Sequence, residues 1–253
     1  MSTASHTLRD TRTMFRRDTR LSLRNPMMTI SGIISPIVMF LLLNYVFGGA
    51  VATGGRYVDY LVPGILVMAV GSGAATTAVN LSADVHEGIV ARFRTMAIAR
   101  SAILGGTVAG SVIRTLISLT LITGAALAVG FRPHGNALAW CGAAGLLALA
   151  AFALTWIAVG IGIIAKTAAG ANSLTLPFQF LLPFLSSAFV SPATMPSGLR
   201  WFADNNPYTH IIDTLRGLLL GGPIGSHAAW AVGWSLAIAL LGFAWARSAF
   251  EKA

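Results

Sequence analysis

The residue types that carry chemistry are few in this chain and widely scattered. Lys166 and Lys252 are its two lysines, and neither lies in a G-x-x-x-x-G-K-[ST] loop, so the chain supplies no phosphate-cradling P-loop. His6, His86, His134, His210 and His227 lack metal-ligand spacing, and no H-E-x-x-H, G-x-S-x-G or C-x-x-C occurs. Cys141 is the single cysteine, which excludes an intrachain disulfide and a thiolate cluster; among apolar neighbours it reads as a small buried hydrophobe. No catalytic set and no metal site emerge. The acids Asp10, Asp18, Asp59, Asp84, Glu87, Asp204, Asp213 and Glu251 all fall in termini or between apolar runs. A proton-coupled multidrug carrier usually needs an acid within the membrane, so this placement weighs against that class.

Polarity beyond solubility needs gathers in a few places. Asp84 to Arg100 reads DVHEGIVARFRTMAIAR. Ile89, Val90 and Phe93 recur at helical spacing there, with Glu87, Arg92 and Arg94 on other faces. This describes either a short amphipathic helix that docks in a partner's groove or a solvated basic loop. Ser191 to Ser226 is long for a connection without structure of its own. Pro196 starts a short helix through Trp201 and Phe202, and Asn205-Asn206-Pro207 breaks it. A second helix follows from Tyr208 to Leu220, carrying Asp213 and Arg216 and ended by Gly221-Gly222-Pro223. Two helices too short to cross a bilayer read as a re-entrant hairpin. Arg114 falls at the inner end of a crossing placed at residues 112–131, where its side chain snorkels. Asn44 and Gln179 are polar side chains set within apolar runs, and both are candidates to line a substrate path. Pro177 and Pro183 flank Gln179 and break its helix.

These features are positioned by an apolar scaffold. Of the 253 residues, 55% are hydrophobic and 10% charged, where a soluble domain carries roughly 25% charged. A soluble surface cannot be covered with so little charge, so the chain is read as an all-α polytopic membrane protein. At about 20 apolar residues per crossing, six transmembrane helices are expected near 27–47, 60–81, 112–131, 137–165, 171–190 and 227–246. Continuous apolar runs without period-2 alternation favour helices over a barrel.

The net charge of +9 comes from 17 Lys and Arg against 8 Asp and Glu. The basic residues flank apolar runs rather than clustering with aromatics, which argues against a nucleic-acid partner. Arg9, Arg12, Arg16, Arg17, Arg20, Arg24, Arg92, Arg94, Arg100, Lys166, Arg247 and Lys252 fall on one side, and Arg56, Arg132, Arg200 and Arg216 on the other. By the positive-inside rule both termini are cytoplasmic. Residues 1–26 lack a small-residue cleavage site, and the apolar run after them is longer than a signal peptide's. They are expected to form a basic interfacial helix on the anionic lipid surface, preceding the six-helix unit at 27–250.

Three ordered matches carry a family resemblance. They are Glu87-Gly88 with Arg92-Phe93-Arg94 after the second run, IRTLISL (113–119) leading to Gly130-Phe131-Arg132, and Asn206-Pro207 followed by LRGLLLGGP (215–223). With these, the chain resembles the membrane subunits of type-2 ABC exporters, in particular the daunorubicin-resistance type of permease. Ala97 departs from the pattern, because many relatives have proline there. The resemblance implies a multi-pass bacterial cell-membrane subunit that is not itself an enzyme and binds no cofactor. Two copies of a separate ATPase would use ATP and Mg, and a second permease copy, identical or paralogous, would complete the assembly. It also implies that Asp84, Glu87, Gly88, Arg92, Phe93 and Arg94 form the coupling helix. Asn206, Pro207, Asp213 and Arg216 would belong to the outer re-entrant hairpin. The expected cargo is an amphipathic drug or lipid-like metabolite leaving the cell.

Overall fold

In the computed structural model, residues 26–48, 56–86 and 100–252 are described. Nearly all of the expected interfacial helix (1–26) lies outside them, as do Glu87, Gly88, Arg92, Phe93 and Arg94 of the expected coupling helix. The described residues form helices joined by short connections, with no strand among them.

The long helices are α1 (Pro26–Phe47), α2 (Tyr57–His86), α3 (Arg100–Val129), α4 (Ala137–Ile164) and α8 (His227–Lys252). Between α4 and α8 lie α5 (Ala168–Leu176), α6 (Ser197–Asn205) and α7 (Pro207–Leu220). A π-helical turn (Pro177–Leu181) and one α-helical turn (Leu182–Phe184) prolong α5. Four stretches are long and apolar enough to cross a membrane: α2, Leu104–Val129, α4 and His227–Glu251. In α1 the apolar part with described side chains is the shorter Ile34–Val46.

Burial separates these helices into a centre and a rim. The most apolar stretches of α2 and α4 are 78% and 72% buried, against 22% for both α3 and α8. Phe40 of α1, Leu61, Ile65 and Leu66 of α2, Ile122 of α3, and Ile212 and Leu215 of α7 are essentially inaccessible and share one core. Where the rim helices face outward they expose Ile117, Leu121, Leu240 and Leu241, as lipid-facing surfaces do. A second core at the His86 end joins Leu81, Leu104, Trp156, Ile163, Ala246 and Phe250. There Trp156 meets Phe243 edge-on at 4.9 Å. Between the cores, hydroxyls connect three helices: Thr77 and Ser111 are 2.5 Å apart, and Thr155 lies 3.5 Å beyond.

Helix ends follow local chemistry. Asn136 caps α4 by accepting the Ala139 N–H at 2.8 Å. Gly221 ends α7 in the left-handed conformation, at φ 78°, which favours glycine.

Two expectations change. Cys141 is exposed rather than buried, because it lies on an outward face of α4. The fifth run is helical only over 168–184, and residues 185–189 are turns. Pro177 and Pro183, which lack the N–H a helix needs, divide it.

Candidate functional site

The break in the fifth run leaves carbonyls that the helix cannot satisfy itself. The Leu182 N–H reaches back five residues to the Pro177 carbonyl, so it is not available to Phe178. Residue 183, which the same register would pair with the Phe178 carbonyl, is proline and has no N–H. A carbonyl left in this way needs an outside donor. The buried hydroxyl of Tyr208, on α7, donates to it at 2.9 Å. Burial raises the phenol pKa, so the hydroxyl keeps its proton.

Asn206 acts alongside it. Its Nδ2 donates to the Leu182 and Leu185 carbonyls, both at 2.9 Å, and its Oδ1 accepts the Tyr208 N–H at 2.9 Å. The same residue therefore caps α7 and ties it to the end of the broken helix. Pro207 follows at the first helical position, where its missing N–H is harmless. On the opposite side, α2 approaches through small residues. A Cβ at Gly71 would stand 2.7 Å from the Phe178 carbonyl oxygen, and one at Gly64 would stand 2.7 Å from that of Ala188.

A charged pair closes the outer part of this junction. Arg216 Nη1 donates to Asp213 Oδ1 at 2.6 Å, and its Nη2 donates to the carbonyls of Tyr60 and Ser187 at 3.1 and 3.0 Å. The guanidinium lies 3.9 Å from the Tyr60 ring centroid, a cation–π contact. Ser187 Oγ donates to Asp213 Oδ1 at 2.8 Å, and the Tyr60 hydroxyl donates to the Ser187 carbonyl at 2.9 Å. Thr209 accepts the Ser187 N–H at 3.2 Å. These bonds clamp the turn at 185–189 between α2 and α7.

Of the residues singled out from the sequence, Asn206, Pro207, Asp213 and Arg216 are brought together in this junction. Gln179 lies in the π turn, nearly buried, and donates to Thr175 Oγ1 at 3.1 Å. Asn44 lies near the end of α1, which packs on α2 and α3, whereas the broken helix packs on α2 and α4. The two candidate path residues are thus on separate elements. Asp84 sits half-buried in the last turn of α2. Tyr60, Ser187 and Tyr208 were missed. The Phe178-to-Pro183 spacing was a usable signal only for a reader who already knew the helix adopts a π register.

Chemically, the junction is a set of hydrogen bonds and one ion pair around a helix break, in which the buried Arg216 Nε alone has no hydrogen-bond partner among the described side-chain atoms. No group of three or more His, Cys, Asp or Glu suited to a metal exists among the described residues. The arrangement secures an irregular backbone segment beside apolar helices of membrane-crossing length. Non-helical backbone at membrane depth is tolerated only where protein or a water-lined cavity satisfies it.

With helices and no strand among the described residues, four of the helices long and apolar enough to cross a membrane, the chain is a polytopic membrane protein. Residues 9–220 match the ABC-2 type transporter family, and the chain belongs to it. It is 31% identical over 214 residues to the daunorubicin resistance ABC transporter permease protein DrrB1 of Streptomyces coeruleorubidus, covering 84% of this chain and 74% of that one. It is 24% identical over 223 residues to the probable doxorubicin resistance ABC transporter permease protein DrrC of Mycobacterium tuberculosis, covering 86% and 79%. The chain is therefore a permease subunit, of the kind that works with an ABC ATPase.

Proposed function

We propose that this chain is the membrane half of an ATP-driven exporter that moves amphipathic drugs or lipid-like metabolites out of a bacterial cell. Its similarity to a daunorubicin resistance permease over 84% of its length carries this reading. In it the chain spans the inner membrane six times, with both termini cytoplasmic and α6–α7 re-entering the outer leaflet. Two permease copies, identical or paralogous, pair with two ATPase subunits that bind ATP and Mg. Asp84, Glu87, Gly88, Arg92, Phe93 and Arg94 form the coupling helix, with the charged residues on the ATPase surface and Phe93 in its groove. Asn44 and Gln179 line the substrate path. Export requires that the substrate bind the inward state better than the outward one, so ATPase closure must change the shape of that path.

The test is transport into inverted membrane vesicles carrying this chain and its co-purifying ATPase, with daunorubicin as the probe. Uptake should require ATP, persist when the proton gradient is collapsed, and stop when the ATPase's P-loop lysine is replaced. Uptake driven by a proton gradient alone would establish the carrier instead. The Glu87→Ala/Phe93→Ala double variant should insert normally and lose uptake.

A further inference from the structure

The last turn of α2 leads directly into the segment at 87–99, and the same turn grips the junction between α4 and α5. Ala165 is where α4 ends: its φ of −68° and ψ of 129° are extended, although its N–H still bonds the Ile161 carbonyl. As the chain leaves the helix there, the Ala165 carbonyl loses the N–H that a continuing helix would supply. Two α2 side chains take it up. His86 Nε2 lies 3.1 Å from that oxygen, and Ser82 Oγ donates to it at 3.4 Å. Ser82 and His86 are four residues apart and so share one face of α2. A carbonyl carries no proton, so the imidazole must present its N–H at Nε2.

The contact is short in both directions along the chain. On one side His86 immediately precedes Glu87. On the other, Lys166 alone separates Ala165 from Thr167, which caps α5 by accepting the Gly170 N–H at 2.9 Å. The backbones of α2 and α4 also touch here: a Cβ at Gly162 would stand 2.8 Å from the Ala78 carbonyl oxygen. A displacement of the segment at 87–99 therefore has little slack before it reaches the start of α5, the helix that carries the π turn and Gln179.

We infer that His86, backed by Ser82, is a positioning residue that passes movement of the 87–99 segment to α5 through the Ala165 carbonyl. This rests on the coupling reading given above. The two side chains differ in exposure in a way that suits the role. Ser82 is fully buried and belongs to the packing, whereas His86 is exposed. Water can take the place of an exposed imidazole, so removing it leaves the carbonyl solvated and the fold intact.

The experiment compares His86→Ala, His86→Gln and His86→Asn in the complex with the co-purifying ATPase. Gln places its side-chain N–H₂ about where Nε2 lies, whereas the shorter Asn places it about where Nδ1 lies. Daunorubicin-stimulated ATP hydrolysis and vesicle uptake should fall about three- to tenfold in the Ala and Asn variants, the worth of one hydrogen bond, and recover in Gln. Basal hydrolysis, co-purification and the melting temperature should stay at wild-type values in all three. If uptake and melting temperature fall together, or if Gln behaves as Ala does, the contact is packing and the inference is overturned. The Glu87→Ala/Phe93→Ala variant separates the two proposals. Loss of uptake there with full uptake by His86→Ala removes only the role of His86; full uptake by both removes the coupling reading and the role of His86 together.

Discussion

The Tyr208 hydroxyl donates at 2.9 Å to the Phe178 carbonyl, the oxygen that Pro183 leaves without a partner. A side chain of α7 thus completes the hydrogen bonding of a broken helix 30 residues earlier in the chain.

Replacing Tyr208 with Phe should leave that part-buried oxygen without its donor and cost about 1 kcal/mol. The detergent-purified protein should melt earlier. Pro183→Ala supplies an N–H at the position the π register needs, so it should restore most of the loss when combined with Tyr208→Phe. A double variant no more stable than Tyr208→Phe alone would contradict this account of the break.

The Arg216–Asp213 pair is the second support. Its side chains are 20% and 26% exposed, so breaking it should cost about 3 kcal/mol, the lower end for a mostly buried pair. Asp213→Asn and Arg216→Met should both reduce stability. Arg216→Lys should rescue poorly, because one ammonium cannot reproduce a fork that reaches Asp213, Tyr60 and Ser187 together. Wild-type melting of Arg216→Lys in detergent would show that charge alone suffices.

His210 and His227 face each other through Nδ1 at 3.1 Å, joining α7 to the start of α8, and the His210 ring stacks on Trp230. One proton fits between the two nitrogens. Burial and the neighbouring His227 lower the His210 pKa, outweighing the opposite pull of Asp213 and Asp204. The unfolded chain then binds more protons as pH drops. The contribution to stability is full above the ordinary imidazole value of about 6.5 and is lost as pH falls through the lowered His210 pKa. Melting temperatures between pH 8 and 5 should fall at the acid end, and less steeply for His210→Asn. Equal slopes for the two proteins would exclude this pair as the source.

The close approach of α2 to the broken helix sets a steric prediction. Gly71→Leu must displace the Phe178 carbonyl, so the protein should be degraded or aggregate during expression. Gly145→Ala, where the added carbon meets nothing within 4 Å, should express as wild type. Fluorescence-detected size exclusion of the two variants reads this directly, and a monodisperse Gly71→Leu protein would refute the contact.

Much of the architecture was legible in the sequence because it follows from local rules. Apolar runs of crossing length marked α2, α3, α4 and α8, since backbone groups in lipid must be paired within the segment. Pro196, Asn206-Pro207 and Gly221 marked the ends of α6 and α7 to within a residue or two, because caps and breakers act on their own neighbourhood. The outward position of Cys141 was not legible, since an apolar run looks alike whether it faces lipid or protein.

What the sequence determined by itself was the class of molecule, the places where helices must break, and the polar residues too costly to be there without a use. What tertiary structure alone decided was which groups satisfy one another. Tyr208 with Phe178, Arg216 with Tyr60 and Ser187, and His86 with Ala165 are pairs far apart in the chain. Hydropathy is additive along a segment and can be read residue by residue. A hydrogen bond across helices depends on register and rotation, and here these are set where α2 packs against α4 and the broken helix.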